Sequence, residues 1–219
     1  FGKDSSTPLW NYTTGDIVLS VAISADGEYI AAGSRDYKVY LFDRDSSTPL
    51  WSYTTGDWVY SVAISADGEY IAAGSADSKI HLFDKDSSTP LWSYQTEQPV
   101  VSVDISADGE YIAACTGGWE AGKVYLFDKD SSTPLWSYSD SSGSNGSGNG
   151  MRSVAISADG EYITAGTQAD WGDGKVYFFD KDSSTPLWSY TAGNDVDSVA
   201  ISADGEYIAA GSDDDTVYL

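Results

Sequence analysis

The chain has 219 residues, 34 acidic against 11 basic, for a formal net charge of −23. Apolar residues make up 41% and aromatics 14%, enough for a packed core, and the acidic excess argues against nucleic acid and anionic membrane surfaces as partners. One cysteine and one histidine leave no internal disulfide and no site built on several Cys or His, so no metal and no cofactor are expected. No apolar run approaches the ~18 residues of a membrane-crossing helix. No signal peptide is visible, and the chain opens on Phe1 rather than Met, which reads as processed or incompletely represented.

In chain order, the first period reads as four strands. Val18 to Ser24 alternates and runs into an Ala25-Asp26-Gly27-Glu28 turn; Tyr29 to Ser34 is small and apolar. Lys38 to Phe42 is β-branched and aromatic, and Leu50 to Thr54 follows a Ser-Ser-Thr-Pro turn. The unit then repeats. Ala-Asp-Gly-Glu-Tyr recurs with its Asp at Asp26, Asp67, Asp108, Asp159 and Asp204, and Asp-Ser-Ser-Thr-Pro-Leu-Trp begins at Asp4, Asp45, Asp86, Asp130 and Asp182. Four strands in a period of 41 to 51 residues match a β-propeller blade. Joining Leu219 to Phe1 restores the phrase that runs unbroken from Lys38 to Trp51, so the chain reads as whole periods on a circle.

The expected fold is therefore all-β: a single five-bladed β-propeller domain over 1–219. The blades fall at 16–55, 57–95, 98–139, 150–192, and 194–219 plus 1–14. The last blade is expected to close with strands from both termini, its outer strand coming from Leu9 to Thr13.

Val39-Tyr40-Leu41-Phe42-Asp43, Gly56-Asp57, Ser61 to Gly68 and Gly74-Ser75-Ala76-Asp77 together resemble the Trp-Asp (WD) repeat. The resemblance covers all five copies and implies a propeller serving as a non-catalytic binding platform. The family's Gly-His stands here as Gly15-Asp16 and Gly56-Asp57, and its Trp-Asp as Phe42-Asp43 and Phe83-Asp84. Ser34/Asp36, Ser75/Asp77 and Ser212/Asp214 keep two of the four members of the family's buried hydrogen-bond set.

Comparing the copies separates scaffold from specialisation. Trp10, Trp51, Trp92, Trp136 and Trp188 form one column, and Phe1, Phe42, Phe83, Phe127 and Phe179 another; both read as packing. His81 replaces a column Tyr and Cys115 a column Gly, so both read as buried packing residues. Trp58, Trp119, Trp171, Tyr37 and Tyr60 break the pattern, in or beside fourth-to-first and second-to-third strand loops. An antiparallel meander puts those loops at one end, here called the top. All the length changes fall there too, including Thr116–Gly122, Thr167–Gly174 and Ser139–Gly150. Arg35 and Arg152 are the off-pattern basic residues. The column Leu19, Tyr60, Val101, Arg152, Asp197 changes character in every blade, where the inner strand enters the channel. Asp104 replaces an Ala, and a carboxylate there needs a partner.

The expected function is a non-enzymatic binding scaffold that holds a protein, peptide or carbohydrate ligand on the top face. Its site residues would be Trp58, Tyr60, Trp119, Arg152, Trp171, Asp104 and Asp197. A structural or recently amplified repeat protein without a specific ligand is the alternative, with closure between molecules as one form of it, although a monomer is expected. A carboxylate-dependent glycosidase using Asp104, Asp197 and Glu120 is a lesser alternative. A calcium loop at 168–174 is incomplete, and Asp213-Asp214-Asp215 reads as a solvated acidic face. The acidity and two N-glycosylation patterns, at Asn11 and Asn145, lean toward an extracellular or saline setting.

Overall fold

The computed structural model describes residues 1–118, 121–140, 150–168 and 174–219. Its elements are all strands, arranged as consecutive antiparallel meanders. Blade 1 holds β1 (Val18–Ile23), β2 (Tyr29–Ser34), β3 (Lys38–Asp43) and β4 (Trp51–Thr54). Blade 2 holds β5 (Val59–Ile64), β6 (Tyr70–Ser75), β7 (Lys79–Asp84) and β8 (Trp92–Gln95). Blade 3 holds β9 (Val100–Ile105), β10 (Tyr111–Thr116), β11 (Lys123–Asp128) and β12 (Trp136–Ser139). Blade 4 holds β13 (Gly150–Ile156), β14 (Tyr162–Gln168), β15 (Lys175–Asp180) and β16 (Trp188–Thr191). Blade 5 holds β17 (Val196–Ile201), β18 (Ile208–Ser212) and β19 (Thr216–Tyr218).

Each inner turn is built the same way. The Ser24 hydroxyl donates to Asp26 Oδ1 at 2.6 Å and accepts from Tyr29 N, while Glu28 N also donates to Asp26. Gly27 closes the turn at φ 73°, where a Cβ would be strained. The Ser24 hydroxyl is the first cause holding the Asp26 carboxyl below the usual range.

The core lies between blades rather than within them. Inner strand packs on inner strand, β1 on β5, β5 on β9, β9 on β13 and β13 on β17. The outer-strand Trp of blades 1 to 3 lies on the Phe of the next blade, with ring centroids 5.2 Å apart for Trp51–Phe83 and 5.3 Å for Trp136–Phe179. Its indole N–H donates onward as well, from Trp51 to Lys85 O and from Trp92 to Lys129 O. An inner-strand serine crosses the same joint: Val62 N donates to Ser20 Oγ and Val103 N to Ser61 Oγ. His81 and Cys115 sit where the column comparison put them, fully buried. Cys115 shares its core cluster with Met151, which stands in a Val column, so the bulkier Cys in a Gly column and the flexible Met meet at one joint.

The termini carry the two parts of the fifth blade, three strands at the C-terminal end and the outer-strand residues Trp10 and Tyr12 at the other. Trp10 packs on Phe42 at 5.2 Å and donates to Arg44 O, as Trp51 does on blade 2. The expected pairing of Leu9–Thr13 with β19 is not made: the last sheet has three strands. β17 does not pack on β1 as the other inner strands pack on their successors. A ring of five shuts only if each joint turns the chain by a fifth of a circle. Four like joints are made, β1 on β5 through β13 on β17.

A candidate binding site at the mouth of the channel

The inner strands are interrupted at one place in every blade. Their ladder register shifts between Val18 and Ser20, Val59 and Ser61, Val100 and Ser102, Met151 and Ser153, and Val196 and Ser198. The skipped residues are Leu19, Tyr60, Val101, Arg152 and Asp197, the column that varies in sequence. A β-bulge frees a residue from the ladder and re-aims its side chain. All five line one cavity of about 570 Å³, with Gly117, Gly118, Met151 and Gln168 completing it.

Charge in the cavity is concentrated on one side. Arg152 Nε lies 3.3 Å from Asp197 Oδ1, and its Nη2 lies 4.0 Å from Asp195. Asp197 also engages Asp213, whose carboxyl it raises above the usual range by a shared hydrogen bond and by its charge. The opposite side is apolar and aromatic, with Leu19, Tyr60 and Val101. Gly117 permits the close approach of loop and strand, since a Cβ there would stand 2.6 Å from Met151 O.

The top loops are bound to one another. Gly15 N donates to Asp36 Oδ2, Gly56 N to Asp77 Oδ2 and Gly193 N to Asp214 Oδ2. Tyr40 and Tyr218 donate their hydroxyls to Asp36 and Asp214, so a third-strand Tyr takes a place in the WD family's incomplete set. In blade 2 the shorter His81 stands in that column. Its Nδ1 pairs with Ser93 Oγ at 2.7 Å, while its Nε2 and Asp77 Oδ1 are buried without partners. Burial lowers its pKa to about 4.

The structure therefore brings together Tyr60, Arg152 and Asp197 of the expected site. Trp58 stands beside them, edge-on to Tyr60 at 6.2 Å, with the Arg35 guanidinium 4.4 Å over its ring. That stacking covers one indole face, a use for Arg35 that its off-pattern charge did not reveal. Asp104 is not in the cavity lining. Its half-buried carboxylate, at the joint of blades 3 and 4, accepts from Ile105 N and Ile156 N, and desolvation raises its pKa to about 6. Trp119, Trp171 and Glu120 lie outside the described residues, as does most of the 168–174 loop. Among the described residues no three acidic, Cys or His side chains are grouped to hold a metal. Met151 and Gln168 were missed; Met151 was the legible one, as the chain's single Met standing in a Val column.

A family model described as WD domain, G-beta repeat matches residues 6–43. No curated protein matches the chain. Among solved structures, the Kuenenia stuttgartiensis hydrazine synthase superposes on 96% of this chain with a TM-score of 0.75 at 18% identity. The β-propeller domain of Cps50 (Swd1) from Myceliophteria thermophila superposes on 92% with a TM-score of 0.74 at 15% identity. The chain spans 58% and 64% of those two chains, and at such identities the likeness is one of fold. The PQQ_2 family model, described as outer membrane protein assembly factor BamB, matches residues 35–218; with most of its length matched and WD-like blades throughout, the chain belongs to that family of β-propellers.

Proposed function

We propose that this propeller is a non-enzymatic interaction scaffold that grips a peptide segment of a protein partner at the mouth of its channel. The observation that carries the reading is the bulge column. The same backbone device recurs in every blade, yet the residue it presents is different each time. Scaffold positions in this chain repeat, so a column that is structurally equivalent and chemically individual is where recognition is expected. The cavity offers a cation held by acids on one side and Tyr60 with two aliphatic residues on the other. That combination suits a segment with one acidic and one apolar side chain, and Trp58 beside Tyr60 would extend the grip.

The test is a peptide array probed with the purified chain and with Tyr60→Ala/Arg152→Ala, beside a glycan array. Peptide binding that the double variant loses by tenfold or more supports the reading. Binding indifferent to the double variant, or glycan hits alone, would replace it.

A further inference from the structure

A second column at the top of the channel fails to repeat. At the end of the second strand, Arg35, Ala76, Gly117, Gln168 and Asp213 stand at equivalent places. The backbone there is constant: Arg35 N donates to Ile17 O, Ala76 N to Trp58 O, Gly117 N to Pro99 O and Asp213 N to Asp195 O, while Gln168 pairs with Gly150 in the ladder. The side chains are individual, as in the bulge column. Gly117 and Gln168 line the cavity. Arg35 therefore holds on blade 1 the place that those two hold on blades 3 and 4.

Of the 11 basic side chains, eight lie within 4.0 Å of an acidic oxygen. Arg152 is one of the eight, with Asp197 and Asp195 on it. Arg35, Lys38 and Lys79 are the three without an ion pair among the described residues. Lys38 and Lys79 open third strands, two strands out from the channel. Arg35 is thus the unpaired cation at the mouth. Its guanidinium lies 4.4 Å over the Trp58 ring, and its Nε is buried without a hydrogen-bond partner. The chain carries 34 acids, yet no described one reaches this group.

Contact with the indole restrains the guanidinium and leaves its planar N–H fork to meet an acceptor. Such a fork pairs bidentately with a carboxylate. Trp58 is in turn edge-on to Tyr60, which lines the cavity. The spacings of 4.4 Å and 6.2 Å put the guanidinium and Tyr60 within about three extended residues of each other. We infer that Arg35, backed by Trp58, anchors a carboxylate of the bound peptide, about three residues or fewer from the side chain that packs on Tyr60. The inference rests on the peptide reading above and assigns its acidic contact. Arg152 is the poorer anchor, because an incoming carboxylate there has to displace Asp197 and meets Asp195 and Asp213 as well. A Glu or Asp side chain and a peptide C-terminus present the same two oxygens, so either source fits the fork.

The test is an array of synthetic peptides that pair Leu with Glu at spacings up to about three residues, each beside a twin with Gln for Glu. A second set ends in Leu, as the free acid or as the amide. The array is probed with the whole chain, with Arg35→Gln, with Arg35→Lys and with Arg152→Gln. The whole chain is expected to hold Glu peptides or free acids tenfold or more tighter than their uncharged twins, and the set that shows the preference names the source of the carboxylate. Arg35→Gln is expected to lose that preference and still hold the uncharged twins. Arg35→Lys, which keeps the charge without the fork, should retain part of it. A preference that survives Arg35→Gln, or that is lost in Arg152→Gln alone, would overturn the inference and leave the peptide reading standing. Equal loss of charged and uncharged peptides in both Arg35 variants would mark Arg35 as packing for Trp58 and overturn it too. Binding of no peptide by the whole chain would overturn both readings.

Discussion

The joint between blades 1 and 2 and the gap between blades 5 and 1 hold the same columns of residues in opposite environments. Val62 is 6% exposed and Val21 68%. Phe83 is fully buried under Trp51, while Phe1 lies in solvent. A side chain's value to stability is therefore set by whether its joint is made, not by its identity. That makes each column a built-in control, with one substitution placed at formed and unformed joints of a single molecule.

The largest contrast is expected in the Phe column. Phe127→Ala empties a packed joint and is expected to cost about 3–5 kcal/mol in denaturant unfolding. Phe1→Ala, measured on dilute protein, is expected to change stability by less than about 0.5 kcal/mol. Equal effects would break the comparison.

The second contrast is a pH dependence with two opposing parts. His81 has its pKa lowered to about 4 by burial, so the unfolded chain binds the proton more readily between about 6.5 and 4, and stability falls as pH drops through that window. The full effect is on the order of 3 kcal/mol. Asp104 is raised to about 6, so the folded chain holds the proton more tightly and stability falls as pH rises from about 4 to 6. Urea melts from pH 4 to 8 should show His81→Tyr gaining most at low pH, because it removes the buried imidazole that takes up a proton on unfolding. Asp104→Ala, which restores the column Ala, should gain most above pH 6. Parallel pH profiles for wild type and both variants would contradict these assignments.

Gly74→Ala and Gly211→Ala sharpen the comparison at a single methyl. The first places a Cβ 2.6 Å from Val100 Cγ1 and is expected to cost about 1–3 kcal/mol. The second meets nothing in the single copy and should leave a dilute melt unchanged or slightly raised. Arg35→Ala is expected to cost about 1 kcal/mol from the lost stacking on Trp58. Its indole fluorescence should shift with it.

Strand positions were legible because the repeat prints each blade several times: Tyr29–Ser34, the starts at Val18 and Lys38 and the end at Thr54 are as read, and the bounds read at Ser24, Phe42 and Leu50 move by one residue. The binding column was legible as well, since Leu19, Tyr60, Val101, Arg152 and Asp197 fail to repeat among neighbours that do. Its cause was not, because a β-bulge is a register relation between two strands and leaves no local residue signature. Asp104 was read as needing a partner, but its backbone donors come from its own and the next blade. The missing ladder between Leu9–Thr13 and β19 was the part that could not be read, for a physical reason. Periodicity counts residues, whereas closure depends on the angle between packed blades, and nothing in a period of 41 records an angle.

The unmade joint itself is tested most directly by amide hydrogen exchange on dilute protein. Val62, Val103, Val154 and Val199 each donate their N–H to a serine of the preceding blade. Val21 holds the same place on β1 and faces the gap. Protection at the four and rapid exchange at Val21 is the expected result. Equal protection at Val21 in the dilute monomer would show that the ring shuts within a single chain.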